Sequence, residues 1–369
     1  MKVLLTIREL HPDSKMGGIG NYYSLLRKYW SVNMHYFYIG RRYKDNGWII
    51  FRLFKDFKKL NNSVKYCDIL VTNPSLSSTS VLRDAVSVLI GYIHHKKIIV
   101  FFRGWHSYMV DLIDKHRFLR MLFKWVFKRA DVFIVLSNDF KQKLLDWGFK
   151  KNIYIESTVV DNDLLNGYAH KGSIKKELNT INILFLARIE KDKGVFEVIE
   201  AYGNLKRKYP FIKLIIAGDG SCLEMVKKIV VQRNIKDIEF TGYVTGERKR
   251  DVFRKSDMYV FPSYGEGMPN SVLEAMAFGL PVITRPVGGL RDFFENGRMG
   301  FITESNEPLV IAGFIEKLIL DPDTRERISQ YNAAFAQEHF MASIVVKRIE
   351  RIYKDVLNGS QRDHFWLVS

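Results

Sequence analysis

Short runs of apolar, β-branched and aromatic residues recur along the chain, and stretches with apolar positions three and four apart lie between them. KVLLTI (2–7), MHYFYIG (34–40), YCDILVTNPS (66–75), KKIIVFFRGWH (96–106), ADVFIVLSNDF (130–140) and NIYIESTVVD (152–161) read as strands of a first half. INILFLARI (181–189), FIKLIIAGDGS (211–221), DMYVFPS (257–263) and PVIT (281–284) read as strands of a second. Helical spacing is expected from near Ile19, over SVLRDAVSVLIGYIH (80–94), from Lys141 to Trp147, from about Asn270 to Phe278, over EPLVIAGFIEKLI (307–319) and from Phe340 to Leu357. Strands alternating with helices imply the α/β class, with parallel sheets covered by helices on both faces.

A chain of 369 residues accommodates two domains, and 47% hydrophobic content supplies cores for both. The polar stretch GYAHKGSIKKELNT (167–180) reads as the connection between them, giving expected domains of 1–170 and 171–339. Charge refines this picture. The net charge is +17, and residues 1–170 hold 27 Lys+Arg against 14 Asp+Glu while the remainder holds 30 against 26. A basic first half implies an anionic partner. Within it, KHRFLRMLFKWVFKR (115–129) interleaves cations with eight apolar residues, and FRLFKDFKKL (51–60) is similar. Such segments read as membrane-surface elements, against the plainer reading of core-packing helices with solvated basic faces. Cys67 and Cys222 lack metal-ligand spacing, MKVLLTIREL is too short an apolar run for a leader, and no run reaches the roughly 20 apolar residues of a span. The expected location is the cytoplasm, peripheral at the inner face of the cell membrane.

The most informative stretch is DMYVFPSYGEGMPNSVLEAMAFGLPVITRPVGG (257–289). It reads as strand, loop, helix and strand, and carries Glu266 in the loop and Glu274 in the first helical turn, with seven residues between them. Ligands of open α/β sheets bind outside the carboxyl ends of strands, and carboxylates there select hydroxyl donors such as those of sugars. Ser271-x-x-Glu274 also has the form of a capping box, whereas the sequence offers Glu266 no structural role. The string FPS-x-x-EG-x-PN-x-x-LEAMA-x-G-PVI closely resembles the E-x7-E signature of retaining GT-B glycosyltransferases of family 4, the glycosyl transferases group 1.

That resemblance extends to other places. Arg188 and Lys193 in ARIEKDKG (187–194) resemble the family's G-R-x-x-x-x-K-G pattern, with Ala187 in place of the first glycine. Gly218 stands in a G-D-G turn (218–220), and IEFTGYV (238–244) falls where the family forms part of its nucleotide-base pocket. Gly17, Gly18 and Gly20 follow the first strand and open a helix, where the family places the donor diphosphate and the acceptor. Arg103 holds the position of the family's donor-contacting histidine, with His106 three residues on.

The resemblance implies two Rossmann-like domains facing a cleft and a last segment, 340–369, that crosses back to the first. It implies a metal-independent transfer of a sugar from a nucleotide diphosphate donor to an acceptor hydroxyl, with retention and with no cofactor. Glu266, Arg188, Lys193 and His106 are the expected catalytic group. Gly18, Arg188, Lys193, Gly218, Glu266, Gly267, Met268, Asn270, Ser271 and Glu274 are expected on the donor, and Gly17 and Arg103 on the acceptor side. The basic, aromatic first half points to a lipid-linked or membrane-associated saccharide in cell-surface polysaccharide biosynthesis, with peripheral contact to an anionic membrane. A nucleotide-sugar epimerase of the same fold is the alternative. Nucleic acid is not an expected partner, since no nucleic-acid motif is present. The pairs Asp161/Asp163 and Asp321/Asp323 are read as turn and cap residues rather than metal ligands.

Overall fold

Most of the apolar runs form strands that are buried over most of their length, which is why they are continuous rather than alternating, while MHYFYIG, at a sheet edge, is half-buried. A computed structural model describes residues 1–7, 18–40, 49–167 and 180–360. The chain divides into two units, Met1–Val159 with Ala342–Ser369, and Val160–Met341. The expected boundaries lay at 170/171 and 339/340, and residues 168–179 of the expected connection 167–180 lie outside the described residues.

The first unit contains β1 (Lys2–Ile7), β2 (Asn33–Tyr38), β3 (Ile69–Thr72), β4 (Lys97–Phe101), β5 (Val132–Val135) and β6 (Asn152–Ile155). All pair in parallel, in the spatial order β2-β1-β3-β4-β5-β6. The order reverses between β1 and β3, so the ligand crevice of this sheet lies at the carboxyl ends of those two strands. Helices Gly18–Leu26, Ile49–Ser63, Ser78–Ile93, Ser107–Lys115, Arg117–Phe127 and Asn138–Asp146 fill the connections, and Ala342–Asn358 packs against Gly18–Leu26. Two of these helices fix the unit's interior: Tyr22 and Tyr23 are fully buried, and Trp30 stacks on Tyr353. Glu350 accepts from the amide and hydroxyl of Ser31, and Arg348 grips buried Glu156 just past β6.

The second unit contains β7 (Ile181–Leu186), β8 (Ile212–Ala217), β9 (Ile238–Gly242), β10 (Met258–Phe261), β11 (Val282–Thr284) and β12 (Gly300–Ile302). They are again parallel, in the order β9-β8-β7-β10-β11-β12, the arrangement of a dinucleotide-binding domain. Here the reversal falls between β7 and β10. Both are central and buried, and the hydroxyl of Tyr259 on β10 donates to the Leu186 carbonyl at the end of β7, at 2.9 Å. The expectation of an α/β protein with two Rossmann-like parallel sheets is met.

Candidate active site

The site is built where β7 and β10 end. Residues 187–194 leave β7 and turn into the helix Val195–Lys208; residues 262–269 leave β10 and turn into the helix Asn270–Ala277. The two loops are stitched together. The Tyr264 amide and the Ser263 hydroxyl both donate to the Asp192 carbonyl, at 2.9 and 3.2 Å. Neither following helix has a side-chain cap, so each presents first-turn amides at the strand ends.

Into this frame the sequence places Lys193 and Glu266. Lys193 is only 7% exposed, and its ammonium lies 2.9 Å from Glu266 Oε1 and 3.0 Å from Asp192 Oδ2. Ser263 Oγ lies 3.2 Å from the same Glu266 oxygen, so its one proton is shared between this carboxylate and the Asp192 carbonyl. Glu266 therefore has a partner that the sequence did not disclose: it neutralises a buried ammonium, an arrangement whose loss leaves a desolvated charge. Arg188 stands exposed beyond β7, its guanidinium makes no hydrogen bond among the described residues, and it lies close enough to Glu190 to help lower its pKa. The larger cause of that lowering is the hydroxyl and amide of Ser221 bound to the Glu190 carboxylate.

Glu274 departs from its expected setting. It is the fifth residue of its helix, in the second turn, and it caps nothing. The capping-box reading fails because Ser271, at the second helical position, pairs its hydroxyl with Tyr259 at 2.7 Å. Glu274 is 3% exposed; Oε1 accepts from Lys249 Nζ at 2.6 Å, while Oε2 is buried with no protein partner. Both Glu274 and Glu266 act on Tyr259, whose phenol pKa is raised well above its ordinary value, chiefly by complete burial and secondarily by these two carboxylates. One tyrosine thus lies within electrostatic reach of both acids of the signature.

The remaining expected donor residues serve this frame. Gly267 accepts from the Gly289 amide at 2.8 Å, and Met268 is buried beneath the loop. Asn270 opens the helix. Gly218 has a packing reason of its own, because a Cβ there would meet the Ala187 carbonyl oxygen at 1.8 Å. Lys249, Ser263, Asp192 and Tyr259 were missed. Ser263 and Tyr259 lie within the signature stretch, but Lys249 sits in the polar run GERKR and carries no sequence signal.

In the first unit, Gly18 begins the helix Gly18–Leu26, and Gly17 lies outside the described residues. Arg103 lies over the Tyr22 ring at 3.5 Å, with Nε and Nη1 buried and unpaired, and its amide donates to Pro74. His106 is exposed at the start of the helix Ser107–Lys115 and its side chain caps nothing. Among the described residues no group of three His, Cys, Asp or Glu side chains is placed to hold a metal ion. Asp161 and Asp321 cap a turn and a helix, accepting from the amides of Asp163 and Thr324.

Comparison with known proteins adds to this geometry. The family model described as glycosyl transferases group 1 matches residues 169–335. An uncharacterized glycosyltransferase of Methanocaldococcus jannaschii is 30% identical over 239 residues, which cover 64% of this chain and 61% of that protein. The capsular polysaccharide biosynthesis glycosyltransferase CapM of Staphylococcus aureus is 29% identical over 239 residues, covering 61% and 58%. The match therefore spans about three-fifths of the length of these relatives. The crystal structure of HepE from Anabaena, in complex with UDP and glucose, superposes with a TM-score of 0.70 over 96% of this chain and 99% of that one, at 15% identity. The fold is thus that of the GT-B glycosyltransferases.

Proposed function

We propose that the chain, whose residues 169–335 match the family model of glycosyl transferases group 1, transfers a sugar from a nucleotide diphosphate donor to an acceptor hydroxyl, with retention at the anomeric carbon. The observation that carries this reading is the meeting of Lys193 with Glu266 at the switch point of a Rossmann-like sheet, at 2.9 Å. In the proposed reaction the acceptor oxygen bonds to the anomeric carbon on the face from which the diphosphate leaves. The bond from that carbon to the β-phosphate oxygen breaks with its electron pair, and the acceptor proton passes to the departing phosphate. Arg188 and Lys193 meet the negative charge that grows on the diphosphate, where fixed cations act most strongly. Glu266 holds donor sugar hydroxyls, and Glu274 Oε2 accepts from a further donor hydroxyl. His106 and Arg103 are assigned to the sugar and acceptor side. The positive charge comes from side chains, so the reading calls for no metal and no cofactor.

The relatives named above carry glycosyltransferase names, which favours transfer over the epimerase alternative. The role of CapM in capsular polysaccharide biosynthesis and the basic first unit support a lipid-linked or membrane-associated saccharide as acceptor, reached from the cytoplasmic side.

The test is a screen of UDP-, GDP- and dTDP-sugars for thermal protection and donor cleavage, repeated with Glu266→Gln. Glutamine keeps a hydrogen bond to Lys193 but removes the charge. One donor is expected to be cleaved by the native chain, with turnover lower by about 100-fold or more in the variant and nucleoside diphosphate binding largely retained. Equal turnover in the variant, or no donor cleaved by the native chain, overturns the reading.

A further inference from the structure

We propose that the first unit docks on an anionic lipid surface through the outward stripe of the helix Arg117–Phe127. This helix has two apolar faces. Phe123, Val126 and Phe127 are buried against the unit's interior. Phe118, Met121, Leu122 and Trp125 lie at positions i, i+3, i+4 and i+7 and form a second stripe, 46–73% exposed. The plainer expectation, that the apolar positions of 115–129 all face the sheet, is overturned by these four. A core helix has no use for a second stripe, and contiguous exposed apolar surface marks an interaction site.

The stripe continues past the helix. The Arg129 guanidinium lies 4.0 Å from the Trp125 ring centroid and 5.0 Å from that of Tyr92, which is itself exposed on the neighbouring helix Ser78–Ile93. Arg117, Arg120, Lys124 and Lys128 succeed one another three or four residues apart along one flank, and no acidic residue occurs from 115 to 129. Aromatic and aliphatic side chains bordered by cations are what the interface of an anionic bilayer accommodates.

Charge selects the occupant. The first unit holds 32 Lys+Arg against 15 Asp+Glu, and the second holds 25 against 25, so the whole excess of +17 belongs to the unit that carries the stripe. A second copy of the chain would set the same cations against each other. A nucleic acid would answer the cations but offer Met121 and Leu122 no apolar phase. Among the described residues no helix is long and apolar enough to cross a membrane. The inference rests on the proposed function only for its purpose, which is to bring the transfer site to a membrane-associated acceptor.

The experiment is co-sedimentation of the full chain with phosphatidylcholine vesicles containing increasing phosphatidylglycerol, at low and high salt. Binding is expected to rise with the anionic fraction and fall with salt. Removing two cations in Arg120→Gln/Lys124→Gln is expected to weaken partitioning about 30-fold, and Met121→Ser/Trp125→Ser roughly tenfold or more. Val231→Ser, equally exposed but on the second unit, leaves partitioning unchanged. All four positions are exposed or half-buried, and circular dichroism confirms the fold of each variant. Donor cleavage in vesicle-free solution is measured alongside, so that failure to bind lipid and failure to cleave donor are separate results. Partitioning that ignores anionic lipid, partitioning by both double variants equal to that of the native chain, tighter binding to RNA than to vesicles, or a dimer dispersed by Met121→Ser/Trp125→Ser each overturns the proposal.

Discussion

At the scale of single residues, buried Glu274 pairs with half-buried Lys249 and leaves one carboxylate oxygen unspent. Oε1 holds the ammonium at 2.6 Å and Oε2 has no protein partner. A buried acceptor without a donor costs stability unless something outside the chain fills it, which makes Oε2 the natural place for a hydroxyl of the donor. Lys249 is then a positioning residue, which fixes the orientation of the carboxylate. Lys249→Met strands a carboxylate that is 3% exposed, a loss of about 3 kcal/mol that lowers the melting temperature by roughly 6–12 °C. It also raises the donor KM about tenfold or more, because the carboxylate loses the partner that holds Oε2 in place. Adding Glu274→Gln to Lys249→Met should restore stability without restoring the KM, since the amide removes the stranded charge but not the need for an ordered acceptor. Melting curves and donor titrations of the two variants check this; a purely structural lysine would leave the KM alone.

At the scale of elements, the signature loop is shaped by a glycine opposite it. Gly288 has φ +50°, and a Cβ there would meet the carbonyl oxygens of Gly267 at 2.0 Å and Glu266 at 2.5 Å. Gly288→Ala must displace the loop that carries Glu266, and a displacement approaching 1 Å at a catalytic group costs on the order of 100-fold in turnover. Gly297→Ala, at φ +82° with open space around it, carries the backbone strain without the displacement and is expected to lower stability while leaving turnover near native. Comparing kcat and melting temperature across the two separates these effects. The strand-loop-helix-strand unit around this loop was legible in the sequence, because its strands are continuous apolar runs and its loop falls at their end. The setting of Glu274 was not. Ser271 pairs with Tyr259, twelve residues back, and Glu274 pairs with a lysine from the helix Gly246–Arg254, whose charged sequence gives no apolar period to read. The surface character of 115–129 was readable from its interleaved cations and aromatics, but which of the two apolar faces of Arg117–Phe127 the sheet takes was not.

At the scale of the whole molecule, both units bury phenols, and that sets an alkaline limit on the fold. Burial raises the pKa of Tyr22, Tyr23, Tyr36 and Tyr353 in the first unit and of Tyr202 and Tyr259 in the second. In the unfolded chain these groups ionise near pH 10. Below that pH both states keep the phenolic proton and stability does not depend on it. Above it the unfolded chain loses protons that the folded chain retains, so stability falls as pH rises, by up to about 1.4 kcal/mol per pH unit for each phenol. Cys67, pushed up to about 11 by burial, acts in the same direction. Because each unit has its own buried phenols, neither outlasts the other by virtue of lacking them, and the melting temperature should slip slightly from about pH 8.5, where the unfolded thiol ionises, and drop steeply beyond pH 10. Tyrosinate absorbance followed with far-ultraviolet circular dichroism checks the cause: exposed tyrosines should titrate first, and the remaining phenols should ionise together with the loss of helix. A smooth titration of all tyrosines ahead of unfolding would mean that the phenols are not held in the dry interior described for them.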